Sequence, residues 1–261
     1  MRDEGFKGMQ AALVQARRDG TCIPTAAAWI PQSPAQAYAL QQAVATELGE
    51  VKGWKVSGLT PQQQAEMGVT SPLAAPLLGP WLRPAGAVFE RQRLVRPRLE
   101  CEFAFELHAD LPPRDAPYTR DEVEDAIAAL RIGVEIVDSR LPAGSPVWLE
   151  LADNLNNGGY VVGPAWADWR SLHYAETGIV LRRLGAAGDE LARGDGRAVL
   201  DGDPVGAVVL LANLDALQPR GLRAGDLVTT GSCTGAVAAS QAGDFEADFG
   251  RLGSVRFSLV D

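Results

Sequence analysis

The 261-residue sequence predicts an α+β fold in which strands outnumber helices. Three observations carry this reading. Leu99, Cys101, Phe103, Phe105 and Leu107 alternate with Glu100, Glu102, Ala104 and Glu106, residues 132–137 form a short β-branched run, and only a few segments show helical spacing behind a start signal. That mixture fits α+β better than the regular strand–helix alternation of a doubly wound sheet.

In chain order, Ser33 and Pro34 supply an N-cap and a favoured first helical residue for a helix over 35–48, which Gly49 closes. From 53 to 84 the texture changes to Gly, Pro and Thr with scattered aliphatics, and reads as loops and short strands. A boundary near Gly86 divides a smaller N-terminal part, 1–85, from a larger β-rich part, 86–261, that carries the candidate site. Leu99, Cys101, Phe103, Phe105 and Leu107 then form one apolar strand face, and the opposite face carries Glu100, Glu102 and Glu106. Thr119 and Glu122 make a capping box for a helix over 120–131, leading into the strand at 132–137 that Glu135 interrupts. A Gly- and Asn-rich loop at 154–159 precedes strands at 160–162 and 178–184, with a polar turn region over 186–196. Asp203 and Pro204 start an apolar helix through Leu217, and strands follow at 227–230 and 254–260.

Composition narrows the function classes. Lys and Arg number 24 against 33 Asp and Glu, a net charge of −9 with no basic cluster, which argues against nucleic acid or an anionic membrane as partner. Cys22, Cys101 and Cys233 are odd in number and contain no Cys-x-x-Cys pair, so they read as reduced thiols. No apolar run resembles a signal peptide core or approaches the roughly 18 residues of a membrane helix. The expected location is the cytoplasm.

Glu100 and Glu102 share a strand face and, with Glu135, offer hard oxygen ligands of the kind that suit Mg²⁺ or Mn²⁺. By itself Glu-x-Glu on an alternating strand is more often a solvated sheet face. Glu135 adds weight to the metal, because an ionised acid in an Ile-Val run needs a cation, a metal or a raised pKa. The two histidines, His108 and His173, are scattered, and the Gly231-Ser232-Cys233-Thr234-Gly235 turn reads as a source of hydrogen-bond donors. Lys55, between Trp54 and Val56, is either a snorkelling surface lysine or a partner for a substrate carboxylate. Asp138-Ser139-Arg140 and Asp153-Asn154 read as local ion pairs or turn caps.

At these residues the chain resembles the 2-keto-4-pentenoate hydratase and 4-oxalocrotonate decarboxylase group of the fumarylacetoacetate hydrolase superfamily. The likeness runs through Trp54-Lys55-Val56, Pro97 to Phe105, Val134-Glu135-Ile136-Val137-Asp138-Ser139-Arg140, Ala152-Asp153-Asn154, Leu211-Ala212-Asn213-Leu214 and Thr230-Gly231-Ser232. It implies a mixed β-roll or β-sandwich catalytic fold with a smaller N-terminal α/β part, and a homo-oligomer. It implies one Mg²⁺ or Mn²⁺ on Glu100, Glu102 and Glu135, with Lys55 and Asp153 as catalytic residues. Lys55, Ser139, Thr230 and Ser232 would then bind a small 2-oxo acid or 2-hydroxydienoate. The implied activity is a metal-dependent lyase of aromatic-compound catabolism that proceeds through an enolate, hydration first, with decarboxylation or a non-catalytic metal-binding homologue as alternatives. Two departures stand out. Leu73 follows Pro72 where the hydratase pattern has an acid and the decarboxylase members resemble this chain in having an aliphatic residue, so that in a hydratase a water on the metal or Glu66 would stand in, and Ser57 replaces the glycine usual after Lys-Val.

Overall fold

The computed structural model describes residues 2–23, 29–185, 188–215 and 220–261. Helices α1 (Arg2–Asp19) and α2 (Pro34–Leu48) come first, α2 with the expected Ser33 cap, whose side chain accepts from the Gln36 amide. Strand β1 (Val51–Ser57), helix α3 (Pro61–Met67), and strands β2 (Leu73–Leu78), β3 (Leu82–Pro84) and β4 (Val88–Glu90) follow. The long hairpin of the molecule comes next, β5 (Arg98–Leu107) and β6 (Ile127–Val137), with α4 (Arg120–Ala126) in its connection. Helix α5 (Val147–Ala152) and strands β7 (Asn157–Trp166), β8 (Gly178–Leu184) and β9 (Asp189–Asp195) lead to α6 (Pro204–Ala212). The chain ends in β10 (Leu227–Ser232), β11 (Val237–Ala238), β12 (Gly243–Asp248) and β13 (Ser254–Val260). This is the α+β class expected from the sequence.

Eight strands form one mixed sheet in the order β2-β1-β10-β5-β6-β7-β3, with β11 on β5, and five form a second, β4-β13-β12-β8-β9. Strands from before and after Gly86 share the eight-stranded sheet. Strand β1 pairs with β10 in parallel and β3 pairs with β7 in parallel, so N-terminal strands flank the β5–β6 hairpin on both sides. Gly53 makes the first of these pairings possible, since a Cβ there would meet the Leu227 carbonyl oxygen at 2.0 Å.

The larger sheet curls into a roll. Leu77 of β2, Ala104 of β5, Tyr160 of β7 and Leu227 of β10 pack together on its inner face, although β2 and β7 lie near opposite ends of the strand order. Its outer face meets the five-stranded sheet. There Leu99, Cys101, Phe103, Phe105 and Leu107 join Phe245, Phe257 and α6 in the main core, so the predicted alternation of β5 sends its apolar residues outward and its glutamates into the roll.

Several boundaries differ from expectation. The helix over 120–131 ends at Ala126, because Ile127 turns extended and pairs with Leu107, so the apolar residues that looked helical lengthen β6 instead. Tertiary pairing overrides local periodicity here. Within 186–196, residues 189–195 form the edge strand β9, in which the adjacent Leu191 and Ala192 pack against the core and the rest is polar or glycine, so no alternation signal marks it. Helix α6 stops at Ala212, and Leu217 lies outside the described residues. Helices α1, α3 and α5 and strand β12 were not expected. Among the described residues no helix is long and apolar enough to cross a membrane.

Candidate active site

The antiparallel register of the hairpin sets Glu100 directly opposite Glu135, and Glu102 lies two residues further on the same face. Carboxylate oxygens of the three lie within 4.8 Å of one another. Lys55 reaches them from β1, three strand positions away from β6. A flat sheet would separate those strands by about 14 Å. Curling closes the gap, and Lys55 Nζ donates to Glu135 Oε1 at 2.6 Å.

Burial makes this cluster electrostatically unfinished. Lys55, Glu102 and Glu135 are all buried, and three carboxylates face one ammonium, so two negative charges have no partner. Burial and the neighbouring Glu135 and Glu100 push the Glu102 carboxyl well above the usual range, against the pull of Lys55 and Thr229. Glu100 is raised by burial and by Glu135. Burial alone would lower Lys55, but Glu135, Glu100 and Glu102 outweigh it and hold the ammonium above its ordinary value. Glu102 Oε2 and Glu135 Oε2 are buried without a hydrogen-bond partner. Such atoms are costly unless something positive meets them, and a hard dication among three carboxylates meets both needs.

The far side of Glu135 is braced. Its Oε1 also accepts from Asn157 Nδ2 at 2.9 Å. Lys55 Nζ donates a second bond to the Leu155 carbonyl at 3.2 Å, which leaves one of its three donors free. Leu155 sits in a run of three residues with positive φ, Asn154 (53°), Leu155 (49°) and Asn156 (61°). Left-handed backbone costs roughly 1–2 kcal/mol at a residue such as leucine, strain that here aims a carbonyl at the lysine. Asn-rich sequence in this loop was the available signal, since Asn tolerates that conformation. Tyr160 was also missed. It lies across Gly133, where a Cβ would come within 2.3 Å of its hydroxyl, and Gly133 is the cross-strand partner of Glu102.

Lys55, the three glutamates and Ser232 line one cavity of about 400 Å³, roofed by Gln63, Glu66 and Met67 of α3. The other predicted site residues are elsewhere. Ser139 lines a different cavity of about 560 Å³, with Arg96 and Arg98. Thr230 is fully buried and donates from Oγ1 to the Phe103 carbonyl at 3.0 Å. Asp153 is buried against Arg140, accepting from its Nε at 2.8 Å and its backbone amide at 3.0 Å. Leu73 lies in an apolar cluster with Ala37, Val69, Ala75 and Leu151 and does not line the site cavity. The turn after Ser57 is made by Gly58, at φ 70°.

The chain matches no protein-family model. It is 30% identical over 272 residues to 2-keto-4-pentenoate hydratase of Paraburkholderia phymatum, covering 99% of each chain. It is also 30% identical over 235 residues to 4-oxalocrotonate decarboxylase of Pseudomonas putida, covering 87% of this chain and 85% of the relative. Among solved structures, 4-oxalocrotonate decarboxylase from Pseudomonas putida G7, complexed with magnesium and adipate, superposes with a TM-score of 0.85 at 24% identity, over 100% of this chain and 98% of that one. Relatives at this identity over most or all of their length, one fold, and a glutamate trio at the inner face of the roll make this chain a member of the 2-keto-4-pentenoate hydratase and 4-oxalocrotonate decarboxylase group of lyases.

Proposed function

We propose that the protein is a divalent-metal-dependent lyase that hydrates 2-hydroxydienoates and the 2-oxo acids they tautomerise to. The observation that carries this reading is the trio of Glu100, Glu102 and Glu135, the last two buried and each with an unpartnered oxygen, in one cavity with a single ammonium, Lys55. The curated relatives and the magnesium in the decarboxylase of Pseudomonas putida G7 agree with it. Mg²⁺ or Mn²⁺ held there supplies Lewis-acid stabilisation of the negative charge that grows on the substrate's 2-oxygen.

Lys55 keeps its proton because Glu135 is bonded to it, and its third donor binds the substrate carboxylate. Ser232 Oγ accepts from the Thr234 amide at 3.4 Å, which leaves its own O–H to donate into the cavity. Asn157 and the Leu155 carbonyl hold Glu135 and Lys55 in place, so that neither reorganises when charge develops. We further infer a cytoplasmic homo-oligomer; light scattering after size exclusion measures the assembly.

The test incubates the purified protein with 2-hydroxypenta-2,4-dienoate in Mg²⁺ and in chelator. Metal-dependent loss of the dienol absorbance and a product heavier by one water are expected. No turnover in either condition overturns the reading, and release of CO₂ from 2-oxohex-3-enedioate without hydration transfers the chain to decarboxylation.

A further inference from the structure

Hydration needs a group that takes a proton from water and returns it to carbon, and the site cavity holds few candidates. Its ionisable lining residues are Lys55, Glu66, Glu100, Glu102 and Glu135. Three of them are the metal trio. Lys55 is committed to Glu135 at 2.6 Å and to the Leu155 carbonyl. Leu73 offers no acid and is packed out of the cavity. The remaining carboxylate is Glu66, which lines the same cavity from α3 and is in no ion pair among the described residues.

The helix that carries it is well fixed for its length. Thr60 and Gln63 form a complete capping box, Pro61 occupies the first turn, and Gly68 ends the helix at φ 70°. Gln63, Glu66 and Met67, spaced three and four apart, turn one face of α3 to the cavity. Glu66 Oε1 accepts from Gln62 Nε2 at 2.9 Å, which orients the carboxylate and leaves Oε2 open. The side chain is exposed at the cavity mouth, in contact with solvent.

We propose that Glu66 is the proton shuttle of the hydration step, an inference that rests on the function proposed above. As the water oxygen bonds to C4 of the 2-oxo-3-enoate, Glu66 takes one water proton and the C3=C4 electron pair moves toward the 2-oxygen. The carboxyl then gives that proton to C3. One C–O and one C–H bond form, one O–H and one C–C π bond break, and the carboxylate is regenerated without any co-reactant.

The experiment compares wild type, Glu66→Gln, Glu66→Asp and Glu66→Ala in Mg²⁺. Glu66→Gln is expected to lower kcat by about 10²-fold or more, with KM and the Mg²⁺-induced rise in Tm unchanged. Glu66→Asp recovers part of the rate, added formate restores turnover to Glu66→Ala, and deuterium uptake at C3 in heavy water slows in step with kcat. Wild-type turnover with a Glu66→Gln rate within threefold of it overturns the shuttle and leaves the proposed function standing. A wild type that leaves the dienoate untouched overturns both.

Discussion

Two buried charge networks meet at Asn157, and they are built to opposite rules. On one side, Arg17 and Arg140 both donate to the Asn157 carbonyl. Two cations there answer two anions, Asp138 and Asp153, and all four carboxylate oxygens have donors: the Val95 and Arg96 amides for Asp138, and Arg140 for Asp153. On the other side, the Asn157 amide donates to Glu135 in a cluster of three carboxylates and one ammonium, with two oxygens unpartnered. The balanced network lies outside the site cavity and the unbalanced one lines it. Burial alone therefore does not mark a functional acid; an unmet charge that faces open space does.

The contrast breaks most sharply under substitution. Glu135→Gln is expected to lower kcat/KM by about 10³-fold or more, since it removes a proposed metal ligand and the partner of Lys55. In chelator, Glu102→Gln is expected to hold Tm or raise it, because a buried carboxylate without compensation weakens the fold. Arg140→Met, by contrast, should cost about 3–5 kcal/mol of unfolding free energy in urea, since it strands Asp153. Asp153→Asn separates the roles directly. Lost stability with per-molecule kcat retained assigns Asp153 to the framework, whereas lost kcat at unchanged Tm assigns it to catalysis.

Much of this was legible in the sequence, and the limits have physical causes. The alternation of β5 fixed which residues share a face, so Glu100 and Glu102 were paired before any geometry was known. Glu135 stood out because an acid in an apolar run is anomalous. The motif resemblance gave the family and the fold. Curling of the sheet was not legible, and it alone brings Lys55 to Glu135 across two intervening strands. The inward burial of Glu102 depends on the same curl, since the pattern of a solvated face and that of a roll interior are identical in period. Helix α3 was hidden by its Gln-rich, largely exposed composition, although Thr60, Pro61 and Gln63 carried its start signal. Asn157 gave no sign of its double role, because the first residue of a strand serves two networks only through tertiary contact.

The charge imbalance also sets opposite pH responses with and without metal. Glu100 and Glu102 titrate above their usual range in the folded chain. An acid raised on folding contributes stability below its unfolded pKa, and that contribution is lost as pH rises through the folded value. In chelator, this pair should make Tm fall as pH rises above the ordinary carboxylate range. Protons and dication compete for the same oxygens, so Mg²⁺ affinity should fall as pH drops back toward that range, by up to about tenfold per pH unit for each proton displaced. Thermal unfolding across pH with chelator and with excess Mg²⁺ reads both slopes, and Glu102→Gln should flatten each.

The smallest expected difference separates two hydroxyls on the same strand. Thr230 and Ser232 are two residues apart on β10, and the resemblance gives both to the substrate. Thr230 Oγ1 is spent on the Phe103 carbonyl in the interior, whereas Ser232 lines the cavity with its O–H uncommitted. Thr230→Val should therefore cost about 1 kcal/mol in stability, the usual worth of one buried hydrogen bond, with KM within twofold of wild type. Ser232→Ala should leave Tm in place and raise KM by about 3- to 10-fold, the loss of one bond to the bound acid. A reversed pair of results would mean that β10 shifts register when substrate binds. Its pairing with β5 already changes register between Thr229 and Ser232, which makes that segment the place where such a shift would occur.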